Sequence, residues 1–194
     1  MYSVHYTQYG AVRQGGVALV MAMVFLLILT IIGVTTMTTT ALEERMAGNM
    51  QDKNVAFQAA ESALVAGENW LGLQTAVPAG FDVPVTDDGL HKPSTTSTPI
   101  WESIDWKTDS DVVDYTELPG PGSTANPLTQ PLEVVKTQPQ YLIEDLGPVK
   151  DPFASLKLGA PSTSGRNLFR ITARGTGGSD QAVAEVQSVF EQFF

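Results

Sequence analysis

From Val17 to Val34 the chain reads VALVMAMVFLLILTIIGV, where only Thr30 and Gly33 lie outside the strongly apolar set, and the uncharged stretch continues through TTMTTTAL to Leu42. A helix of about 20 residues rising about 1.5 Å each crosses the roughly 30 Å of bilayer hydrocarbon. Val17 to about Thr36 therefore suffices as a span, with the Thr-rich end near the far interface. A secretory signal has a shorter apolar core and a small-residue cleavage site, so this stretch is expected to stay in the mature chain.

The helical pattern does not stop at the charged residues. All 12 prolines lie at Pro78 or later, so nothing before that point removes a helical donor or clashes with a preceding turn. Between Met46 and Leu71 the residues Met46, Met50, Phe57, Ala60, Leu64, Gly67 and Leu71 recur at spacings that fit one helical face, with Glu44, Asp52, Glu61 and Glu68 elsewhere. The spacing predicts one helix from Val17 to about Leu73, of which 43–73 is an amphipathic continuation that needs a partner surface.

Residues 76–139 are rich in Pro, Gly, Ser and Thr, as in HKPSTTSTP and LPGPGSTANP, around short apolar pieces at Trp101, Ile104 and Trp106. Three later stretches carry strand patterns: Gln140–Leu146, Leu168–Arg174 and Ala182–Phe190. In the second, Phe169, Ile171 and Ala173 alternate with Arg170, Thr172 and Arg174, and GTGGSD at Gly175–Asp180 supplies a turn into the third. An antiparallel sheet packed on the outer half of the helix is the expected architecture, with the three tryptophans Trp70, Trp101 and Trp106 packing helix against sheet.

Charge sharpens this division. Arg13 is the only charged side chain before Glu43, and residues 43–194 hold ten Lys and Arg against 21 acids, a net charge of −11. Such a domain is repelled by phosphate backbones and anionic headgroups, which argues against nucleic-acid binding. Arg13 ahead of the span and Glu43 and Glu44 behind it place the N-terminus on the cytoplasmic side by the positive-inside rule.

The chemistry-bearing residues are sparse. Without cysteine there is no disulfide, thiolate nucleophile or Cys-based metal site. The histidines are His5 and His91, and a Ser-His-Asp triad would have to use His91 with no elbow motif. Asp109, Asp111 and Asp114 lack the glycine and terminal glutamate of an EF-hand and read as a solvated acidic turn, and GTGGSD lacks the strand-to-helix setting of a phosphate loop. Glu43, Glu44, Arg45, Asp52 and Lys53 read chiefly as solvated helix charges, with intersubunit ion pairs as the sharper alternative. The expectation is no catalytic residue, no metal site and no cofactor.

A short basic leader ending RQGG at Arg13–Gly16, an uncharged span, a long helix and then a small sheet together resemble the type IV pilin class. Within that class, ALEERMAGNMQDKNVAFQAAESAL at Ala41–Leu64 and LFRITARGTGG at Leu168–Gly178 resemble the PilX family of minor pilins. The resemblance implies an α+β, pilin-like fold divided into leader (1–16), transmembrane and assembly helix (17–42), amphipathic continuation (43–73) and loop-rich domain with a C-terminal sheet (74–194). It implies processing at Gly15, Gly16 and Val17, with prepilin peptidase cutting after Gly16 and N-methylation at Val17. The class usually carries a glutamate five residues past the cut, where this chain has Met21. An unpaired buried carboxylate is expensive in an apolar bundle, and its absence fits a low-copy subunit at or near a filament tip better than a repeated one.

The implied function is a minor pilin that joins other minor pilins in the bacterial inner membrane to prime type IV pilus assembly, with Met21, Glu43 and Glu44 as assembly positions. Implied partners are other minor pilins, the major pilin, a tip adhesin, prepilin peptidase and inner-membrane lipid before assembly. The domain would lie in the periplasm and then on the pilus, with roles in adhesion and twitching motility. The rivals are a minor pseudopilin of a type II secretion system and, from another class, a membrane-tethered periplasmic enzyme.

Overall fold

The computed structural model describes residues 16–81, 89–94, 98–106, 111–120, 124–150 and 163–194. Helix α1 spans Val17–Gly72, within a residue of the predicted end. The chain divides into two compact units, with the boundary between Ala47 and Gly48.

In the first unit, α1 has no tertiary neighbour among the described residues, and its large side chains from Val17 to Met37 are all exposed. Its threonines do not interrupt the helix. The hydroxyls of Thr30, Thr35, Thr36, Thr38, Thr39 and Thr40 each donate to a main-chain carbonyl three or four residues back, at 2.7–3.0 Å. A hydroxyl satisfied within its own helix can enter hydrocarbon without an orphaned donor.

The second unit is built on a sheet in the order β1-β3-β4-β5, with β2 also paired to β3. Its elements are β1 (Leu90–His91), α2 (Ile100–Ser103), β2 (Val113–Asp114), β3 (Gln140–Lys150), β4 (Thr163–Thr176) and β5 (Val183–Phe193). The three predicted strands are β3, β4 and β5, joined antiparallel as expected. The sheet as a whole is mixed, however, because β1 runs parallel to β3. Two residues of the Pro-rich middle supply that strand, too short a run for alternation to register.

Phe169, Ile171 and Ala173 of β4, with Tyr141 and Ile143 of β3, are fully buried in one cluster with Ala63, Ala66 and Leu71 of α1. The predicted helical face needs correction. Ala56, Ala59, Ala60, Ala63, Ala66, Gly67 and Leu71 are the buried positions, whereas Met46, Met50 and Phe57 are 62%, 69% and 49% exposed. The buried stripe is turned by about a quarter of the helix circumference from the one that large apolar residues mark.

Close approach explains the alanines. A Cβ on Gly175 of β4 would sit 2.4 Å from the Ala56 carbonyl oxygen and the Ala60 nitrogen, and one on Gly67 would meet Ile171 and Tyr141 at 3.1 Å. Only small side chains fit where backbone meets backbone.

The opposite sheet face is also covered. Leu142 packs with Trp106 and Val112, flanked by Trp101 and Ile104. Trp70 packs on the helix-side cluster as predicted, but Trp101 and Trp106 cover the sheet's far side. Thr172 is also completely buried, its hydroxyl accepting from Gln187 Nε2 at 3.0 Å, although alternation places it with the outward arginines.

Candidate assembly interface

Of the residues expected to direct processing and assembly, Gly16, Val17 and Met21 stand at the start of α1 and Glu43 and Glu44 about halfway along it. Arg13 and Gly15 lie outside the described residues. Gly16 directly precedes the helix, and its carbonyl accepts the Val20 N–H at 3.3 Å. A Cβ at Gly16 would meet nothing within 4 Å. Val17 is 66% and Met21 57% exposed, and Glu43 and Glu44 are also exposed. These positions lie along one helix, and among the described residues none of them is brought together with another part of the chain.

Farther along, two charges expected to be mainly solvated bind the β4–β5 turn. Asp52 Oδ1 accepts the Gly178 N–H at 2.6 Å and the Ser179 N–H at 3.4 Å, and Asp52 Oδ2 accepts the Ser179 hydroxyl. Lys53 Nζ donates to the Val183 carbonyl at 2.8 Å. Adjacent residues of α1 thus clasp the β4–β5 turn. The Ser179 hydroxyl bond is the main reason the Asp52 carboxyl lies below its ordinary pKa; desolvation opposes it and the Gly178 and Ser179 amides assist. A Cβ at Gly177 would lie 2.3 Å from Asp52 Oδ1, so the glycines of GTGGSD admit the carboxylate.

On the far sheet face, Arg166, Arg170 and Arg174 line β4, each beside a glutamate. Arg170 Nε and Nη2 donate to the two carboxylate oxygens of buried Glu144 at 2.7 Å each. That fork raises the Arg170 pKa, with burial opposing and the Glu144 charge assisting. Arg166 pairs with Glu191 at 2.9 Å and Arg174 with Glu185 at 3.8 Å. Arg174 also lies 5.8 Å from the Trp106 ring centre. Alternation marks the arginines; nothing in the spacing marks their partners on other strands.

His91 is buried and its Nε2 donates to the Asp111 carbonyl at 2.7 Å, which commits that nitrogen to a structural bond. Asp109 lies outside the described residues. No cluster of three His, Cys, Asp or Glu able to hold a metal occurs among the described residues. Tyr141 is buried under α1, where burial and then the Glu117 charge push its phenol pKa up; its hydroxyl donates to the Glu117 carbonyl at 3.3 Å. A groove of about 400 Å³ runs between α1 and the segment after β2, lined by Val65, Trp70, Leu73, Tyr115 and Leu128 among others.

A long N-terminal apolar helix joined to a C-terminal mixed sheet defines a pilin-like α+β protein. Family comparison makes this specific: residues 14–65 match the PilX N-terminal family and residues 72–192 match the family described as type IV pilus assembly protein PilX, C-terminal. The chain belongs to the PilX family of type IV pilus assembly proteins. Comparison with curated proteins and with solved structures returned no match. PilX is an assembly family and not an enzyme family, and its members act with other pilus components. The apolar helix is long enough to cross a membrane, consistent with anchoring there.

Proposed function

We propose that this chain is a minor pilin that waits in the inner membrane, associates with other minor pilins to prime type IV pilus assembly, and takes a place at or near the filament tip. The observation that carries this is the inner half of α1, uncharged to Leu42 and exposed on every side, in a chain of the PilX family. Such a surface is stable only in lipid or among other apolar helices, and exchange between the two is membrane insertion followed by assembly. Its N-terminus faces the cytoplasm and its acidic domain the periplasm.

Prepilin peptidase cuts between Gly16 and Val17, and the new amine is methylated. Gly16 supports this, because the fold has open space where its side chain would be; the need for glycine then comes from an outside partner such as a protease cleft. Met21 places no carboxylate in the bundle, so the subunit fits a position where no amine above it requires neutralising. The family match favours the pilus over the type II secretion rival.

The test is the mature N-terminus by mass spectrometry in cells with and without the peptidase, together with pilus counts after gene deletion. N-methyl-Val17 only with the peptidase, and loss of pili on deletion, are the expected results. An unprocessed chain in peptidase-containing cells, or loss of exoprotein secretion with normal pili, rejects the reading.

A further inference from the structure

Strand β5 ends the sheet, and among the described residues no further strand pairs with its outer edge. It runs 11 residues, VAEVQSVFEQF, without Pro, Gly or Lys. Its register with β4 is unbroken from Arg166↔Phe193 to Thr176↔Val183, whereas the β3–β4 register shifts twice. Edge strands are usually blunted by bulges, prolines, charges or shortness, and of these β5 carries only the charges of Glu185 and Glu191.

The direction of its backbone groups follows from two bonds. Phe194 N–H donates to the Gly165 carbonyl at 2.9 Å, and Gly177 N–H to the Ala182 carbonyl at 2.8 Å. Even-numbered positions therefore face β4, and by alternation the odd ones turn both N–H and C=O outward. Lys53 occupies the Val183 carbonyl. Glu185, Gln187, Val189, Glu191 and Phe193 remain, all with exposed side chains, Val189 at 62% and Phe193 at 68%.

We propose that this edge is a docking site for an extended strand of another protein, which adds to the sheet beside β5. Charge selects the occupant. Glu185 and Glu191 are already paired with Arg174 and Arg166, so the incoming strand need not neutralise them. The domain's net charge of −11 repels acidic segments and a second copy of this chain alike. The partner strand is therefore uncharged to basic, about nine residues long, with apolar side chains placed to meet Val189 and Phe193.

The probe is a nine-residue fluorescent peptide alternating Val or Thr with Lys, titrated against the full chain in non-ionic detergent by anisotropy and amide hydrogen exchange. Binding should protect the Gln187, Val189 and Glu191 amides, and replacing the peptide's Lys by Glu should weaken it at least about tenfold. Val189→Pro removes an outward N–H and no β4 bond, so it should leave the unfolding midpoint near wild type and weaken binding at least about tenfold. Equal affinity for the Glu peptide, protection elsewhere, or full binding by a well-folded V189P chain overturns the proposal. So does a concentration-dependent dimer in centrifugation that V189P abolishes, which would assign the edge to a second copy.

Discussion

The two halves of α1 invert the usual relation between apolarity and burial. Val17–Ala47 carries Leu, Ile, Val, Phe and Met and buries none of them; Gly48–Gly72 carries fewer large apolar residues and buries a stripe of alanines with Gly67 and Leu71. The outer half has a sheet against it, and the sheet approaches so closely at Gly175 and Gly67 that small residues alone fit. The inner half has no partner among the described residues, and its large side chains lie exposed on a helix long enough to cross a membrane. Apolar size along this helix reports what lies outside the molecule, and alanine reports what lies inside it.

The comparison breaks most readily at the close approach. Gly175→Val should force β4 away from Ala56 and Ala60 and cost at least about 3 kcal/mol, read from denaturant unfolding of the detergent-solubilised chain. Gly33→Ala, in the inner half with nothing within 4 Å of its Cβ, should cost nothing in the same assay. An equal loss from both would mean that the halves do not differ as described.

Arg170→Ala should come next, at about 3 kcal/mol, because it strands the buried Glu144 carboxylate. Replacing both residues with leucine should recover most of that loss. Tyr141→Phe should cost about 1 kcal/mol, the worth of a single hydrogen bond to the Glu117 carbonyl.

Smallest is the pH effect at Asp52. Its carboxyl lies below the ordinary value of 3.8 in the folded chain, so its stabilising contribution is complete above that value and disappears as pH falls through the lower folded one. The unfolding midpoint of wild type should exceed that of Asp52→Asn at neutral pH and converge on it as pH drops below about 3.8. A gap that persists at low pH would show that the charge on Asp52 is not what clasps the β4–β5 turn.

Much of this could be read from residue order. An uncharged run with no proline before Pro78 dictates a helix, and the alternation in QYLIEDL, LFRITAR and AVAEVQSVF dictates strands, because those patterns reflect local geometry with periods of 3.6 and 2. That Met21, Glu43 and Glu44 are exposed on a helix was likewise legible. The packed face was not. Large side chains mark Met46, Met50 and Phe57, while burial followed the sheet's distance from α1, a quantity that no single segment encodes.

By itself the sequence determined that this protein has an apolar anchor-length helix, a continuous extension of it and a strand-rich C-terminus, since each is a property of neighbouring residues. Only the tertiary structure decided that β1 enters the sheet in parallel, that Trp106 covers the far face, that Asp52 and Lys53 hold the turn, and that β5 is the sheet's last strand among the described residues. Those pairings join residues far apart in the chain, and they are set by which surfaces remain to be covered once the local elements have formed.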